Sequence, residues 1–286
     1  MIIRENIVDV EEYRLEEILN NKEVDCKPEE SIYFDLEHYV YKKPKCIGVF
    51  GACVYNKKNK KINVTQYMIE NKSEVVDILL LAKKYFIKMK REGKKVIVTF
   101  AGNNDFTVIK YLFNKYGIYF DFEKEFKSID IQKEYEKDMK ISIGLKNLEK
   151  IFEVYREGDV ISGSNLAKTF HKVLKDKEYI QRMPKEKIET ILQYNEQDVV
   201  NLYKIFINWK NYIKTEKYTK ENDDFDEIKE IKTEKIINDI KEIDNEKNIE
   251  DVKKEQENNA NDNIIIIEDN GQQEENKEID NSETII

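Results

Sequence analysis

With 286 residues, 40% of them hydrophobic and 37% charged, the chain has room for one or two domains with a sizeable core. Its three cysteines, Cys26, Cys46 and Cys53, are odd in number and never in Cys-x-x-Cys spacing, which argues against a disulfide framework or a zinc site. The formal net charge of −9 is unevenly spread. Residues through Lys220 hold 41 Lys+Arg against 35 Asp+Glu, a balance of +6, and those from Glu221 onward hold 8 against 23, a balance of −15. A mildly basic body is compatible with a polyanionic ligand, and an acidic tail would repel one. The N-terminus, Met1-Ile2-Ile3-Arg4-Glu5, turns acidic at once, and no apolar run approaches the roughly 18 residues of a membrane span. The default expectation is a reduced cytoplasmic compartment with no membrane partner.

In chain order, residues 1–30 read as a charged lead-in with a possible helix at Val10–Leu19. Ile32-Tyr33-Phe34-Asp35-Leu36-Glu37 reads as a buried strand with two carboxylates at its end. Cys46–Tyr55 is expected as a second strand, Asn56 to Lys60 as a turn, and the alternating Ile62–Ile69 as a third strand of an antiparallel meander. Val75, Leu79, Ala82, Phe86 and Met89 recur at helical spacing, with Ser73 as the expected N-cap and Gly93 as the stop. Lys95–Phe100 reads as a fourth strand and Ala101-Gly102-Asn103-Asn104 as a turn. A helix is expected from Asp105 to about Tyr116, and a fifth strand at Ser128–Ile131.

Residues 133–184 read as helices and loops, with helices at Gly144–Phe152 and about Asn165–Lys175. Pro184 then opens a long helix whose core stripe runs through Ile188, Ile191, Asn195, Val199, Leu202, Phe206 and Trp209. The pattern predicts an α/β fold, a mixed sheet of three antiparallel strands plus parallel ones with helices on its faces. The domain is expected over 31–215, followed by an acidic low-complexity tail over 216–286 that is mostly disordered. Within the tail, 231–240 could form a transient helix. The apolar run 263–269 could add a strand to a partner's sheet edge, which makes the tail a candidate protein-partner surface, or be an aggregation-prone segment.

The chemistry centres on acids. Alternate strand residues share a face, so Asp35 and Glu37 point the same way. At an effective dielectric near 20, two such charges about 4 Å apart repel by roughly 4 kcal/mol, and a divalent cation would turn that repulsion into binding. A strand simply ending in solvent would also tolerate them. Asp105 follows a strand and a tight turn, where α/β sites gather, although it also suits a helix N-terminus. Tyr194 and Asp198 are four apart on one helix face, about 60–100° from the apolar stripe.

Asp35-x-Glu37, then Asp105 after a strand, then Tyr194-x-x-x-Asp198 in a late helix resembles the DEDD signature of the 3′–5′ exonucleases in the ribonuclease H-like superfamily. A tyrosine four residues before the last aspartate resembles the tyrosine branch. Val98 to Phe106, Gly144 to Glu149, Arg156, Gly158 to Gly163 and Tyr194 to Asp198 together are similar to the bacterial YprB-like predicted exonucleases, over roughly 31–210. The usual residue after Asp-x-Glu is threonine; here it is His38. The resemblance implies two divalent ions, Mg²⁺ or Mn²⁺, with Asp35 bridging them, Glu37 and Asp198 completing one site, and Asp105 acting largely through water on the other. It implies that Tyr194 orients the attacking water and that the substrate is single-stranded DNA or RNA. His38, Asn104, Phe106, Lys146 and Arg156 are candidate substrate contacts, Lys146 and Arg156 for backbone phosphates and Phe106 for a terminal base. A structure-specific endonuclease or resolvase of the same fold, and a non-catalytic nucleic-acid or protein-binding module, are the alternatives.

Overall fold

A computed structural model describes residues 1–158 and 161–213. Everything expected of the tail therefore lies outside the described residues. Six strands form one sheet: β1 (Ile2–Asp9), β2 (Ser31–Tyr41), β3 (Lys43–Asn56), β4 (Lys61–Met68), β5 (Val96–Thr99) and β6 (Lys127–Asp130). Their order across the sheet is β1-β4-β3-β2-β5-β6. Strands β1 to β4 pair antiparallel, and β2, β5 and β6 pair parallel. The helices are α1 (Val75–Arg91), α2 (Asn103–Lys115), the short α3 (Phe122–Glu125), α4 (Ile131–Met139), α5 (Leu145–Ile151), α6 (Gly163–Lys175), α7 (Lys185–Ile207) and the short α8 (Trp209–Tyr212). The fold is the expected mixed α/β sheet flanked by helices.

Strand alternation divides β2 between two cores. Phe34 turns to one face, where it meets Phe50, Phe86 and Phe106. Tyr33 turns to the other, where it meets Tyr203 and Phe206 of α7 at ring distances of 5.5 and 5.8 Å. Asp35 and Glu37 share parity with Tyr33, so both acids lie under α7. That face is the site face because α7 covers it.

Four expectations need correction. Residues 2–9 are no lead-in: they pair with β4 at eight positions as an edge strand, so the antiparallel part has four strands rather than three. The alternation in β1 is hard to read because Ile3 and Ile7 face outward while Arg4 and Asn6 reach toward α7 through Glu189 and Glu196. No helix forms over Val10–Leu19. That stretch is strapped along the end of α7 instead, by bonds from Leu19 N–H to the Phe206 carbonyl, Lys210 N–H to the Glu17 carbonyl and Tyr203 Oη to the Glu11 carbonyl.

The acids do not end their strand: β2 continues to Tyr41, because four further residues find partners on β3. Finally, the capping side chain before α1 is Asn71, which accepts from Ser73 N–H at the start of a 3₁₀ turn. The three cysteines are buried and free, as ordinary core residues.

Candidate metal centre

Asp35 sits on one rung of the sheet with Gly51 of β3 and Gln66 of β4. The glycine leaves a gap in that row. A Cβ at Gly51 would lie 2.0 Å from Asn195 Oδ1, so α7 can lay Asn195 into the rung only because no side chain stands there. Asn195 Nδ2 donates to Asp35 Oδ2 at 3.1 Å, and Asn195 Oδ1 accepts from Gln66 Nε2 at 2.8 Å. Gln66 Nε2 also donates to the Leu192 carbonyl at 2.8 Å, tying β4 to the helix. Both amides are fully buried. The rung therefore fixes one oxygen of Asp35 through a relay of two side chains.

One turn along α7, Asp198 is held by a cation. Arg156 Nη2 donates to Asp198 Oδ1 and, at 2.6 Å, to Glu149 Oε1; Arg156 Nε donates to Glu149 Oε2 at 2.7 Å. Asn201 Nδ2 donates to Glu149 Oε1 at 2.8 Å. The loop carrying Arg156 is fastened to α7 by Gln197, whose side chain accepts from the Glu157 N–H and donates to the Glu157 carbonyl, at 2.8 and 2.9 Å. Tyr194, one turn before Asp198, has its ring beside both Lys146 Nζ, at 5.2 Å, and the Arg156 guanidinium, at 5.0 Å.

Asp105 reaches the site from α2. The turn before it is pinned by Asp130, whose two carboxylate oxygens accept from the N–H groups of Ala101 and Gly102 at 3.0 and 3.1 Å. Ala101 has a φ of +51°, and a Cβ on Gly102 would come within 2.0 Å of Thr99 Oγ1, so the turn is tight. Asp105 is buried and faces His38, with Oδ1 3.9 Å from Nε2.

Ligand oxygens of Asp35, Glu37 and Asp198 lie within 4.8 Å of one another; Asp105 stands beside this group rather than in it. Burial lifts every one of these acids. Asp35 is pushed up to about 6, with Asn195 and Arg156 opposing the rise. Asp198 is pushed up to about 8 by burial and the neighbouring Asp35, against the pull of Arg156. Glu37 rises well above its ordinary value through burial and the charges of Asp35 and Asp198. Asp105 does so through burial and the charges of Asp35, Glu37, Asp130 and Asp198. Mutual repulsion among clustered buried acids is relieved by a bound cation, and the donor set, all carboxylate oxygen, fits a hard divalent ion rather than zinc or copper. Burial, then Asp198 and Glu37, also raise the Tyr194 phenol, which stays protonated across the working pH range.

The candidate substrate residues divide. Lys146 and Arg156 lie against Tyr194 at the site. Arg156 is committed through Nε and Nη2, and its buried Nη1 has no hydrogen-bond partner among the described residues. Lys146 Nζ donates to the Ile161 carbonyl at 3.2 Å. His38 faces Asp105, and burial lowers its pKa. Asn104 is exposed at the start of α2. Phe106 packs between Phe34 and Phe122, at 6.2 and 5.5 Å, as a core ring. Sequence reasoning missed Gln66, Glu149, Asn201 and the positioning role of Asn195. The one signal for them is a polar residue at a core position, as at Asn195.

An acidic, all-oxygen cluster laid across the central strand of a mixed α/β sheet, under the long helix α7, is a site that could hold a divalent metal. The RNase H superfamily matches residues 32–210, and the chain belongs to that superfamily. No curated protein matches it. Membership points to a metal-dependent nuclease whose substrate is nucleic acid, and RNase H-like nucleases generally use divalent ions. Among the described residues no helix is long and apolar enough to cross a membrane.

Proposed function

We propose that this chain is a 3′–5′ exonuclease of the tyrosine type of DEDD enzymes, akin to the YprB-like group, acting on single-stranded DNA or RNA with two Mg²⁺ or Mn²⁺ ions. The observation that carries this reading is the convergence of Asp35, Glu37 and Asp198, spread over 164 positions, within 4.8 Å, with Tyr194 one helical turn away. The catalytic domain is taken as residues 31–215, with β1 adding an edge strand.

Asp35, Glu37 and Asp198 would hold the ions, with Asp105 at the margin. Bound there, the ions supply Lewis acidity toward the phosphodiester and lower the pKa of a water. The chain's own residues do the positioning. Asn195 keeps one Asp35 oxygen turned aside, so the other faces the cluster. Arg156 keeps Asp198 in place. The protonated Tyr194 hydroxyl orients the attacking water by hydrogen bonding; a phenol held above its ordinary pKa is a poor base. Lys146 and the Nη1 of Arg156 supply positive charge for a phosphate oxygen.

The test is degradation of 3′- and 5′-labelled single-stranded DNA and RNA with Mn²⁺, beside Asp35→Ala and Asp198→Ala. Stepwise release of mononucleotides from the 3′ end, lost in both variants, is the expected result. Internal cuts would make it an endonuclease, and wild-type rates in both variants would remove the assigned site.

A further inference from the structure

The β2–β3 hairpin does not stop at the acids. It runs on from Glu37 through Tyr41, turns on the single residue Lys42 at a φ of +59°, and returns at Lys43. Two register shifts, between Glu37 and His38 and between Tyr39 and Val40, separate this arm from the body of the sheet. Bulges of this kind bend a strand and increase its twist, often beside active sites. Tyr41 lies four residue steps along the strand from Glu37, or about 13 Å. That distance matches about four nucleotides at the ~3.4 Å per-strand spacing of stacked DNA.

The arm is cationic, and its lysines have no counter-ion among the described residues. No acidic residue occurs between His38 and Ile69. The two hairpin tips in that stretch nevertheless differ. At the β3–β4 tip, Lys57, Lys60 and Lys61 pair with Glu29, Glu12 and Asp9 at 2.9, 2.5 and 2.9 Å. At the β2–β3 tip, Lys42, Lys43 and Lys45 form no ion pair among the described residues.

Tyr41 is 59% exposed, with Lys42 Nζ and Lys45 Nζ 5.7 and 6.0 Å from its ring centre. Tyr39, below it, has its ring 5.0 Å from that of His171 on α6. Helix α6 has no acidic residue and exposes Lys168, Lys172 and Lys175. A solubilising lysine cluster would account for the charge. It would not account for an open aromatic ring, on the strand that carries the acids, beside ammonium groups that form no ion pair among the described residues.

We propose that this hairpin arm is the track for the single-stranded substrate beyond the cleaved bond. Tyr41 stacks a base, and Lys42, Lys43 and Lys45 hold successive phosphates. The inference rests on the nuclease reading and gives that site its single-strand binding surface. Base stacking on an aromatic ring and phosphate contacts from lysine are both sequence-tolerant, so the arm would not select bases.

The experiment is fluorescence anisotropy of labelled 20-nucleotide oligodeoxythymidine and oligouridine with the full chain in EDTA. Wild type is compared with the Lys42→Glu/Lys43→Glu/Lys45→Glu variant, Tyr41→Ala, and Lys58→Glu at the opposite tip as the charge control. The triple reversal should weaken binding at least ~10-fold at about 0.1 M salt and flatten the salt dependence by about 2 in log–log slope, the value for three phosphate contacts on a single strand. Tyr41→Ala should weaken binding about 5-fold or more with the slope unchanged, as for one lost stack. Lys58→Glu should bind like wild type. Thermal melting checks that the triple variant is folded; if it is not, Tyr41→Ala decides. Wild-type affinity and slope in the folded triple variant, or wild-type affinity in Tyr41→Ala, would overturn the arm while wild-type Mn²⁺-dependent degradation left the nuclease standing. A wild type that neither binds nor degrades either strand would remove both.

Discussion

Arg156 donates to Asp198 and Glu149 at once, and all three side chains are less than a tenth exposed. The guanidinium is a built-in cation that holds one of the site's acids directly. Breaking a buried pair by removing one partner leaves uncompensated charge and costs roughly 3–5 kcal/mol. Arg156→Ala should therefore lower the unfolding free energy by about 3 kcal/mol in metal-free buffer, read by urea denaturation. Saturating Mn²⁺ should restore part of the loss, because an ion beside Asp198 replaces one of the two charges that Arg156 balances. A loss that Mn²⁺ leaves unaltered would place Arg156 outside the ion's reach.

The raised acids give the metal-free protein a pH slope of definite sign. The ordinary carboxylate value for Asp is 3.8, and the folded values of Asp35 and Asp198 are about 6 and about 8. Between those limits the folded state binds more protons than the unfolded chain. Their contribution to stability is complete below about pH 4 and is lost as pH rises through 6 and then 8. Melting temperature in EDTA should fall between pH 5 and pH 9. Asp198→Asn should flatten the upper half of that fall, and Mn²⁺ should remove most of it by favouring the ionised carboxylates. A melting temperature that stays level from pH 5 to 9 in EDTA would contradict this account.

How much of this was legible in the chain depends on the range of the interaction. Asp35 and Glu37 share a face by strand alternation, Tyr194 and Asp198 by helical spacing, and Asp105 by its strand–turn–helix setting. All of these are local patterns. The partners that hold them are remote: Glu149 and Arg156 lie 49 and 42 residues before Asp198, and Gln66 lies 129 before Asn195. No periodicity reports such a pairing. Asn195 lies in the predicted core stripe, where a buried amide needs partners, but the stripe does not say which they are. The lysines at 42, 43 and 45 carried no signal in so lysine-rich a chain until their lack of ion pairs among the described residues could be compared with the pairing of Lys57, Lys60 and Lys61. Strand β1 was missed because its two faces are equally apolar: Ile3 and Ile7 stand with Glu5 and Asp9 on the outward one, and Ile2 and Val8 with Arg4 and Asn6 on the inward one.

The rung of Asp35, Gly51, Gln66 and Asn195 makes a second metal prediction that is independent of charge. Asn195→Leu removes the donor to Asp35 without adding an ionisable group. Mn²⁺ affinity by titration calorimetry should weaken about 10-fold, the lower end for loss of an outer contact to a metal ligand. Gly51→Ala should act in the same direction by pushing Asn195 away, with about 1–3 kcal/mol of overpacking cost. Unchanged Mn²⁺ affinity in a folded Asn195→Leu protein would show that Asp35 needs no such support.

Tyr194 separates orientation from proton transfer. Its hydroxyl is attached to a ring that lies beside Lys146 and Arg156, so Tyr194→Phe keeps the ring contacts and removes only the hydroxyl. Activity on a labelled single strand should drop about 10- to 100-fold in kcat with KM little changed, since the lost contact is to water rather than to nucleic acid. The pH–rate profile should keep its shape, because a phenol raised above its ordinary range does not titrate in the assay window. A lost basic limb in that profile would instead make Tyr194 the proton acceptor. A KM increase at constant kcat would make it a substrate contact.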